Sequence, residues 1–364
     1  MMPLAQRLAA RIRAEGPLRF DAFQEAALYD PDGGYYERAG RVGRSGDFVT
    51  GPSWHPAFGR TMARIARRLG LPDVVDIGAG EGELLAAAAA SLEGWGINDR
   101  FRLVGVERSA VRRRAAAEKC PGATWLSSFE EIPRGSLRGL AVCYELFDAL
   151  PVRALLFDGE KLQERVVTLT PGGESFAWTL EECADGAELL ERFRARGIPL
   201  QRNQRLEIRP GVTRLASELA ARLSQGILLV FDYGAPARAL YSSARAEGTL
   251  EAFVSHGVTR DVLADPGSRD LTAWVDFSEL AEALASAGLD VSGPVSQSRV
   301  LSAAGLFEEL SLDAKAPADA AREADRRAAA ALVQPGGMGE SIRVLAASRG
   351  TDLGRRLTSW QPPR

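Results

Sequence analysis

Cysteine and histidine are scarce. The 364 residues hold three cysteines, Cys120, Cys143 and Cys183, and two histidines, His55 and His256. An odd number of widely separated cysteines gives no disulfide framework and no zinc spacing, and it suits a reducing compartment. Two histidines add no basis for a structural metal, so no metal cofactor is expected. There is also no apolar run near the ~20 residues of a membrane span. Nor is there a strong charge of either sign. Forty-five basic residues against forty-eight acidic ones leave a net charge of −3, which gives no reason to expect nucleic acid or an anionic membrane as a partner. At 46% hydrophobic and 26% charged, the composition is that of a globular chain with a sizeable core.

Two nucleotide motifs are missing as well, and their absence frames the stretch that is most informative. Residues 74–82 read Val-Val-Asp-Ile-Gly-Ala-Gly-Glu-Gly, followed by Glu83-Leu84-Leu85 and five alanines. A short buried strand, a glycine turn and a strong helix former are how an α/β sheet offers a ligand site at the carboxyl end of its first strand. A dinucleotide fingerprint needs glycine where Glu83 stands, which disfavours a dehydrogenase, and a P-loop needs a Gly-Lys-Ser/Thr that is absent. Glu81 and Glu83 would repel a pyrophosphate. Asp76 suits a ligand with an amino group. S-adenosylmethionine (SAM) has no phosphate and carries an ammonium and a sulfonium, so it fits where the nucleotides do not. The alternative is a glycine-rich connection that binds nothing.

The rest of the chain reads as alternating elements. Leu4, Leu8 and Ile12 fall at i, i+4 and i+8, the pattern of an amphipathic first helix. The arginine-bearing N-terminus weakly resembles a mitochondrial presequence, and the helix accounts for it better. Helices follow at 20–28 and 58–69. Strands are expected at 101–107, 123–126 and 140–144, and Asp158-Gly159 marks a hairpin turn between 155–157 and 165–169. Helices at 187–196 and 212–223, a strand at 226–230, a helix at 272–285 and strands at 295–301 and 342–347 complete the pattern, with a helix at 316–333. A tail from Gly350 is expected to be poorly ordered. The expected division is an N-terminal helical and lid segment at 1–70 and the first half of a SAM-binding core at 71–153. An inserted β-hairpin and helical subdomain at 154–225 comes next. The second half of the core occupies 226–349, with an acceptor-side insertion at 235–275, and the tail is 350–364.

Candidate site residues gather at the carboxyl ends of these strands. Gly78, Ala79, Gly80 and Gly82 would cradle the methionine side of SAM beside Asp76. Glu107, at the tip of the second strand, is placed to accept both ribose hydroxyls. The loop Ser127-Ser128-Phe129 would border the adenine, with Phe129 as a stacking face. After the fourth strand, Tyr144 is followed by Glu145 and Asp148, two carboxylates three residues apart that share a face if the segment turns helical. The polar loop at 43–52 offers Asp47 and Thr50 as further cofactor contacts.

These loops together are similar to one family over nearly the whole chain. It is the SAM-dependent methyltransferase family that includes the mitochondrial complex I assembly factor which methylates an arginine of a complex I subunit. The matching stretches are Tyr29-Asp30-Pro31 with Gly34-Tyr35-Tyr36, Gly46-Asp47-Phe48-Val49-Thr50, Asp76 through Gly82, and Glu145-Leu146-Phe147-Asp148-Ala149-Leu150-Pro151-Val152. Asp232-Tyr233-Gly234 and Asp270-Leu271-Thr272-Ala273-Trp274-Val275-Asp276-Phe277 match too, as do Gln297 and Met338-Gly339. The resemblance implies an α/β fold, a seven-stranded Rossmann-like class I sheet with an added subdomain. It implies SAM as donor, giving S-adenosylhomocysteine (SAH), and a protein arginine as acceptor, with symmetric dimethylation in the mitochondrial relative. Two departures stand out. Tyr144 replaces the asparagine usual before the acid, beside the methyl-transfer site. Ser341-Ile342-Arg343 stands where a Phe-Lys pair is usual.

A guanidinium is charged and its lone pairs are delocalised, so methylating it asks for carboxylates that fork it and concentrate charge on one nitrogen. Glu145 and Asp148 are expected in that role, with His256 as a proton acceptor and Asp47 closing the site or holding the methionine ammonium. Two other readings stay open: a methyltransferase for a small molecule, with Tyr144 lining its pocket, and a SAM-binding assembly factor without turnover. The Ala-, Arg- and Gly-rich composition suits a bacterial cytoplasmic protein rather than a mitochondrial one, and a homodimer is allowed for.

Overall fold

A computed structural model describes residues 2–38, 49–254, 257–307, 320–359 and 361. The chain forms two compact units. The larger comprises Ala39–Phe147, Leu215–Tyr233 and Leu280–Arg364, and the smaller comprises Met1–Arg38, Asp148–Arg214 and Gly234–Glu279.

The larger unit is built on a sheet of seven strands: β1 (Asp73–Ile77), β2 (Arg102–Val106), β3 (Thr124–Leu126), β4 (Leu137–Tyr144), β5 (Leu223–Ala235), β6 (Asp290–Ser296) and β7 (Ile342–Arg349). Their order is β3-β2-β1-β4-β5-β7-β6. The first five run parallel, and β7 is antiparallel to both its neighbours. All five residues of β1 are buried, as expected of a central strand covered on both faces. Helix Ala57–Leu69 lays Phe58, Met62, Ile65 and Ala66 into the core, a stripe at helical spacing. Register brings the strand ends level. Ile77 lies opposite Val106 on β2 and Cys143 on β4, and Tyr144 lies opposite Phe231 on β5. The chain reverses order at β1, so a crevice opens at the carboxyl ends beside the glycine turn.

The smaller unit carries an antiparallel sheet of the strands Arg153–Phe157, Leu162–Leu169, Phe176–Glu182 and Gln204–Ile208, joined at Val166 and Val167 by the short strand Leu18–Arg19. Its core includes Leu155, Leu189, Phe193, Leu206 and Tyr241. The first helix, Leu4–Glu15, buries Leu4, Leu8 and Ile12, as the spacing implies. The buried side chain of Gln24 donates to the Leu271 carbonyl at 2.9 Å and accepts from the Val152 N–H at 2.9 Å. It thereby ties three distant stretches of this unit together.

Four expectations are corrected. The stretch 295–301 is not a strand. The strand comes earlier, at Asp290–Ser296, and helix Gln297–Ala303 follows because the Ser296 hydroxyl caps it by accepting from the Arg299 N–H. The helix expected at 272–285 begins only at Phe277, because the Asp276 carboxylate caps its start by accepting from the Ser278 and Glu279 N–H groups. The tail is not structureless, since Leu353–Ser359 is a helix with Leu357 buried. Burying that one leucine contributes about 2 kcal/mol. Finally, residues 145–150 do not turn helical, and Glu145 sits in the left-handed region at φ +48°.

Candidate active site

The glycine turn after β1 has the conformation its composition requires. Gly78, Gly80 and Gly82 take φ of +79°, +56° and +84°, which L side chains adopt only at a cost of about 1–2 kcal/mol. The Gly78 and Ala79 N–H groups both donate to the Val106 carbonyl, closing the turn onto β2. A side chain at Gly82 would lie 2.9 Å from the Trp125 ring, and one at Gly78 would lie 2.9 Å from Leu146. At Gly80 a Cβ would meet nothing within 4 Å, so the turn is packed at its ends and open in the middle. Trp125 was not distinguished by the sequence. Its indole lies across Gly105 of β2 as well as Gly82, and it buttresses the turn from β3. Gly82→Ala is expected to lower the melting temperature by about 4–8 °C, since the left-handed angle forced on an L residue and the clash with Trp125 together cost about 2 kcal/mol. Calorimetry of the ligand-free protein checks this.

Two acids flank the turn. The Glu107 carboxylate accepts from the Gly80 N–H at 2.9 Å and from the Ser109 N–H at 2.8 Å, so it is aimed by the turn itself. Asp76 is 3% exposed. Burial, with Glu83 and Glu107 adding repulsion, pushes its carboxyl up to about 8. Glu83 is in turn paired with Lys119. A buried acid in this state favours a cationic partner, and the acids around it disfavour a phosphate. The residues present therefore fit SAM: Asp76 would face its amino group, the glycine turn its methionine side and Glu107 its ribose.

The residues expected to border the adenine are placed as follows. Ser127 and Ser128 are tied to Glu131, which accepts from both backbone N–H groups and, at 2.7 Å, from the Ser127 hydroxyl. These hydrogen bonds hold the Glu131 carboxyl below the usual range. The guanidinium of Arg222 lies over the Phe129 ring at 5.0 Å and donates to the Phe129 carbonyl, so Arg222 covers one face of the ring. Thr50 forms a capping box with Ser53 at the start of helix Gly51–Trp54. Asp47 and His256 lie outside the described residues.

The acceptor side needs correction at two points. Tyr144 does not line an open pocket. It is 6% exposed, packed between Phe58 and Phe231, with its hydroxyl 3.0 Å from Gln297 Oε1. An aromatic ring beside two others gains more from core burial than from a solvent-facing wall. Glu145 and Asp148 share no helix face, because the segment is not helical and the boundary between units falls between Phe147 and Asp148. Each is held within its own unit. Glu145 donates its N–H to the Phe231 carbonyl at 2.9 Å, and the fully buried Asp232 accepts from the Phe147 N–H at 2.9 Å. Asp148 offers its carbonyl to the Arg209 guanidinium at 3.0 Å and to the Ala273 N–H at 3.2 Å. Arg209 also binds the carbonyls of Leu150, Ala273 and Trp274. Asp232 and Arg209 are the anchors that sequence reasoning missed. Asp232 lay in a matching stretch, but nothing there marked it as a backbone anchor, and no local signal announces Arg209.

Among the described residues no helix is long and apolar enough to cross a membrane, and no cluster of His, Cys, Asp or Glu is arranged to hold a metal ion.

The sheet order with its antiparallel last strand and the glycine turn define a class I SAM-dependent methyltransferase, an enzyme that takes its methyl group from SAM. Residues 57–295 match the model of a family of S-adenosyl-L-methionine-dependent methyltransferases. The chain belongs to that family, the MidA-like SAM-dependent methyltransferases. It is similar to a Burkholderia thailandensis protein crystallised with SAH bound, at 30% identity and a TM-score of 0.84, covering 95% of this chain and 92% of that one. Among curated proteins it is similar to the mitochondrial protein arginine methyltransferase NDUFAF7 homolog of Drosophila melanogaster, 29% identical over 81% of this chain and 73% of that protein. It is also similar to human NDUFAF7, at 25% identity over 84% of this chain and 74% of that one.

Proposed function

We propose that this methyltransferase acts on an arginine of a protein. The observation that carries the reading is Glu145. It is an acid held at a strained backbone angle on the carboxyl end of a central strand. Strain of this kind costs about 1–3 kcal/mol and persists at functional sites. The names of the mitochondrial relatives supply the acceptor class. The burial of Tyr144 removes the feature that favoured a small-molecule pocket.

In this reading Asp76 and the glycine turn hold the methionine portion of the donor, with Thr50 and Asp47 adding contacts from the N-terminal loop. Glu107 holds the ribose, and Ser127, Ser128 and Phe129 border the adenine. When bound, SAM supplies an electrophilic methyl group on a sulfur that leaves as a neutral thioether. Glu145 accepts hydrogen bonds from the guanidinium and draws its positive charge away from the attacking nitrogen. Asp148 is the second proposed carboxylate, and His256 receives the proton the nitrogen releases. Orienting the acceptor nitrogen in line accounts for several kcal/mol of the barrier. Symmetric dimethylation is the product pattern we propose, in a bacterial cytoplasm and with a homodimer as the working assembly. The proposed domain division keeps 71–153 and 226–349 as the two halves of the SAM-binding core, 1–70 as an N-terminal helical and lid segment, 154–225 as an inserted subdomain, 235–275 as an acceptor-side insertion and 350–364 as a tail.

Incubation of the purified protein with cell lysate and methyl-labelled SAM tests the acceptor. Label in a protein band, recovered as dimethylarginine after hydrolysis, is the expected outcome. Label confined to small organic products would remove the arginine reading and leave the methyltransferase in place.

A further inference from the structure

Gln297 and Met338-Gly339 match the family, yet neither lies at the glycine turn nor carries the chemistry of transfer. Their surroundings give them a task. The Tyr144 hydroxyl sits between two neighbours. It is 3.0 Å from Gln297 Oε1, to which it donates, and the Gly51 backbone packs against its other side. Burial pushes this hydroxyl well above its ordinary range, so it stays a donor at every working pH. The Gln297 amide then donates to the Leu332 carbonyl at 2.9 Å. Gly339 packs against the next residue, where a Cβ would come within 2.6 Å of the Val333 backbone. Trp54 donates from its indole to the Ala328 carbonyl at 2.6 Å. Gly51 is a glycine for the same reason. A Cβ there would lie 2.6 Å from the Tyr144 hydroxyl. One line of contacts thus runs from the start of helix Gly51–Trp54, through the last residue of β4, to the segment at 328–333, hydrogen-bonded from Tyr144 onward.

We propose that Tyr144 and Gln297 are positioning residues for methyl transfer, fixing Thr50 and Glu145 relative to each other at the cofactor edge. The inference rests on the reading of Thr50 as a cofactor contact and Glu145 as the acid. Thr50 immediately precedes Gly51 and Glu145 immediately follows Tyr144, so the packing of Gly51 on the Tyr144 hydroxyl is the shortest tie between the two. Because Tyr144 replaces the asparagine usual in the family, the tie uses a hydroxyl set one ring farther from the backbone, and Gly51 supplies the room it needs.

The test uses the full-length protein and SAH as the probe, so it needs no acceptor. Tyr144→Phe keeps the ring and its packing and removes the hydroxyl with its hydrogen bond to Gln297. It is expected to weaken SAH binding about fivefold, the effect of losing one orienting hydrogen bond. Gln297→Leu is expected to weaken binding to a similar extent, and the double variant to be no weaker than either single variant, as members of one network are non-additive. Phe58→Leu trims the ring packed against Tyr144 without touching the hydrogen bonds. It is expected to lower the melting temperature while leaving SAH affinity unchanged. SAH affinity within twofold of wild type in Tyr144→Phe, or additive losses in the double variant, would overturn the proposal. Failure of the arginine reading shows only in the labelling experiment and leaves these measurements unaffected.

Discussion

An Asp76→Asn variant unfolds at a higher temperature than the wild type when ligand-free at neutral pH, and binds SAH more weakly. Both effects come from one carboxyl. Burial first, then Glu83 and Glu107, raise it to about 8 in the folded protein, whereas in the unfolded chain it titrates near 3.8. A group raised on folding contributes stability that is fully present below the unfolded value and is lost as pH climbs through the folded one. The ligand-free wild type therefore loses stability steadily between about pH 4 and pH 8, and asparagine, which has nothing to ionise, does not. The gap in melting temperature between variant and wild type should widen across that window. A cationic amino group beside Asp76 reverses the argument by favouring the charged form. SAH binding to the wild type should release a proton below pH 8 and strengthen about tenfold from pH 6 to pH 7. In Asp76→Asn the pH dependence should flatten and the affinity should fall. Calorimetry in two buffers of different ionisation enthalpy reads the proton directly. A wild-type affinity that does not change with pH would mean that Asp76 does not face the ligand's amino group.

Glu145→Gln is expected to lower turnover by about 100-fold or more, the usual effect of removing a charged group that acts on the transition state. Its SAH affinity should stay within threefold of wild type. The substitution keeps shape and leaves the N–H bond to Phe231 in place, so a loss of rate with retained affinity assigns the effect to charge. Asp148→Asn should lower turnover less, since that carboxyl belongs to a turn anchored through its backbone by Arg209. A Glu145→Gln enzyme that turned over at more than a third of the wild-type rate would remove Glu145 from the chemistry.

The cofactor half of this enzyme was readable because it is local. A strand, three glycines and a helix occupy consecutive residues, and positive φ at Gly78, Gly80 and Gly82 is a demand that composition reveals directly. The position of Glu107 at the end of β2, one βα unit later, was legible for the same reason. Tyr144 was misread because its surroundings come from Phe58, Phe231 and Gln297, which no local pattern connects. The spacing of Glu145 and Asp148 suggested a helix, but tertiary hydrogen bonds from Phe231 and Asp232 hold a left-handed bend instead. The helix at Leu353–Ser359 escaped notice because its order comes from burying Leu357, whereas its sequence is polar and short.

The smaller unit has a consequence for how the protein is made. Gln24 finds its acceptor at Leu271, 247 residues later, and the strand Leu18–Arg19 waits for Val166 and Val167. At about 5–20 residues per second, a ribosome needs roughly 12–50 s to deliver Leu271 after Gln24. Phe20 and Phe23, both fully buried at the end, emerge well before Trp178 and Phe176, the rings they pack against. Synthesis that stalls before residue 176 should leave the N-terminal segment open to proteases.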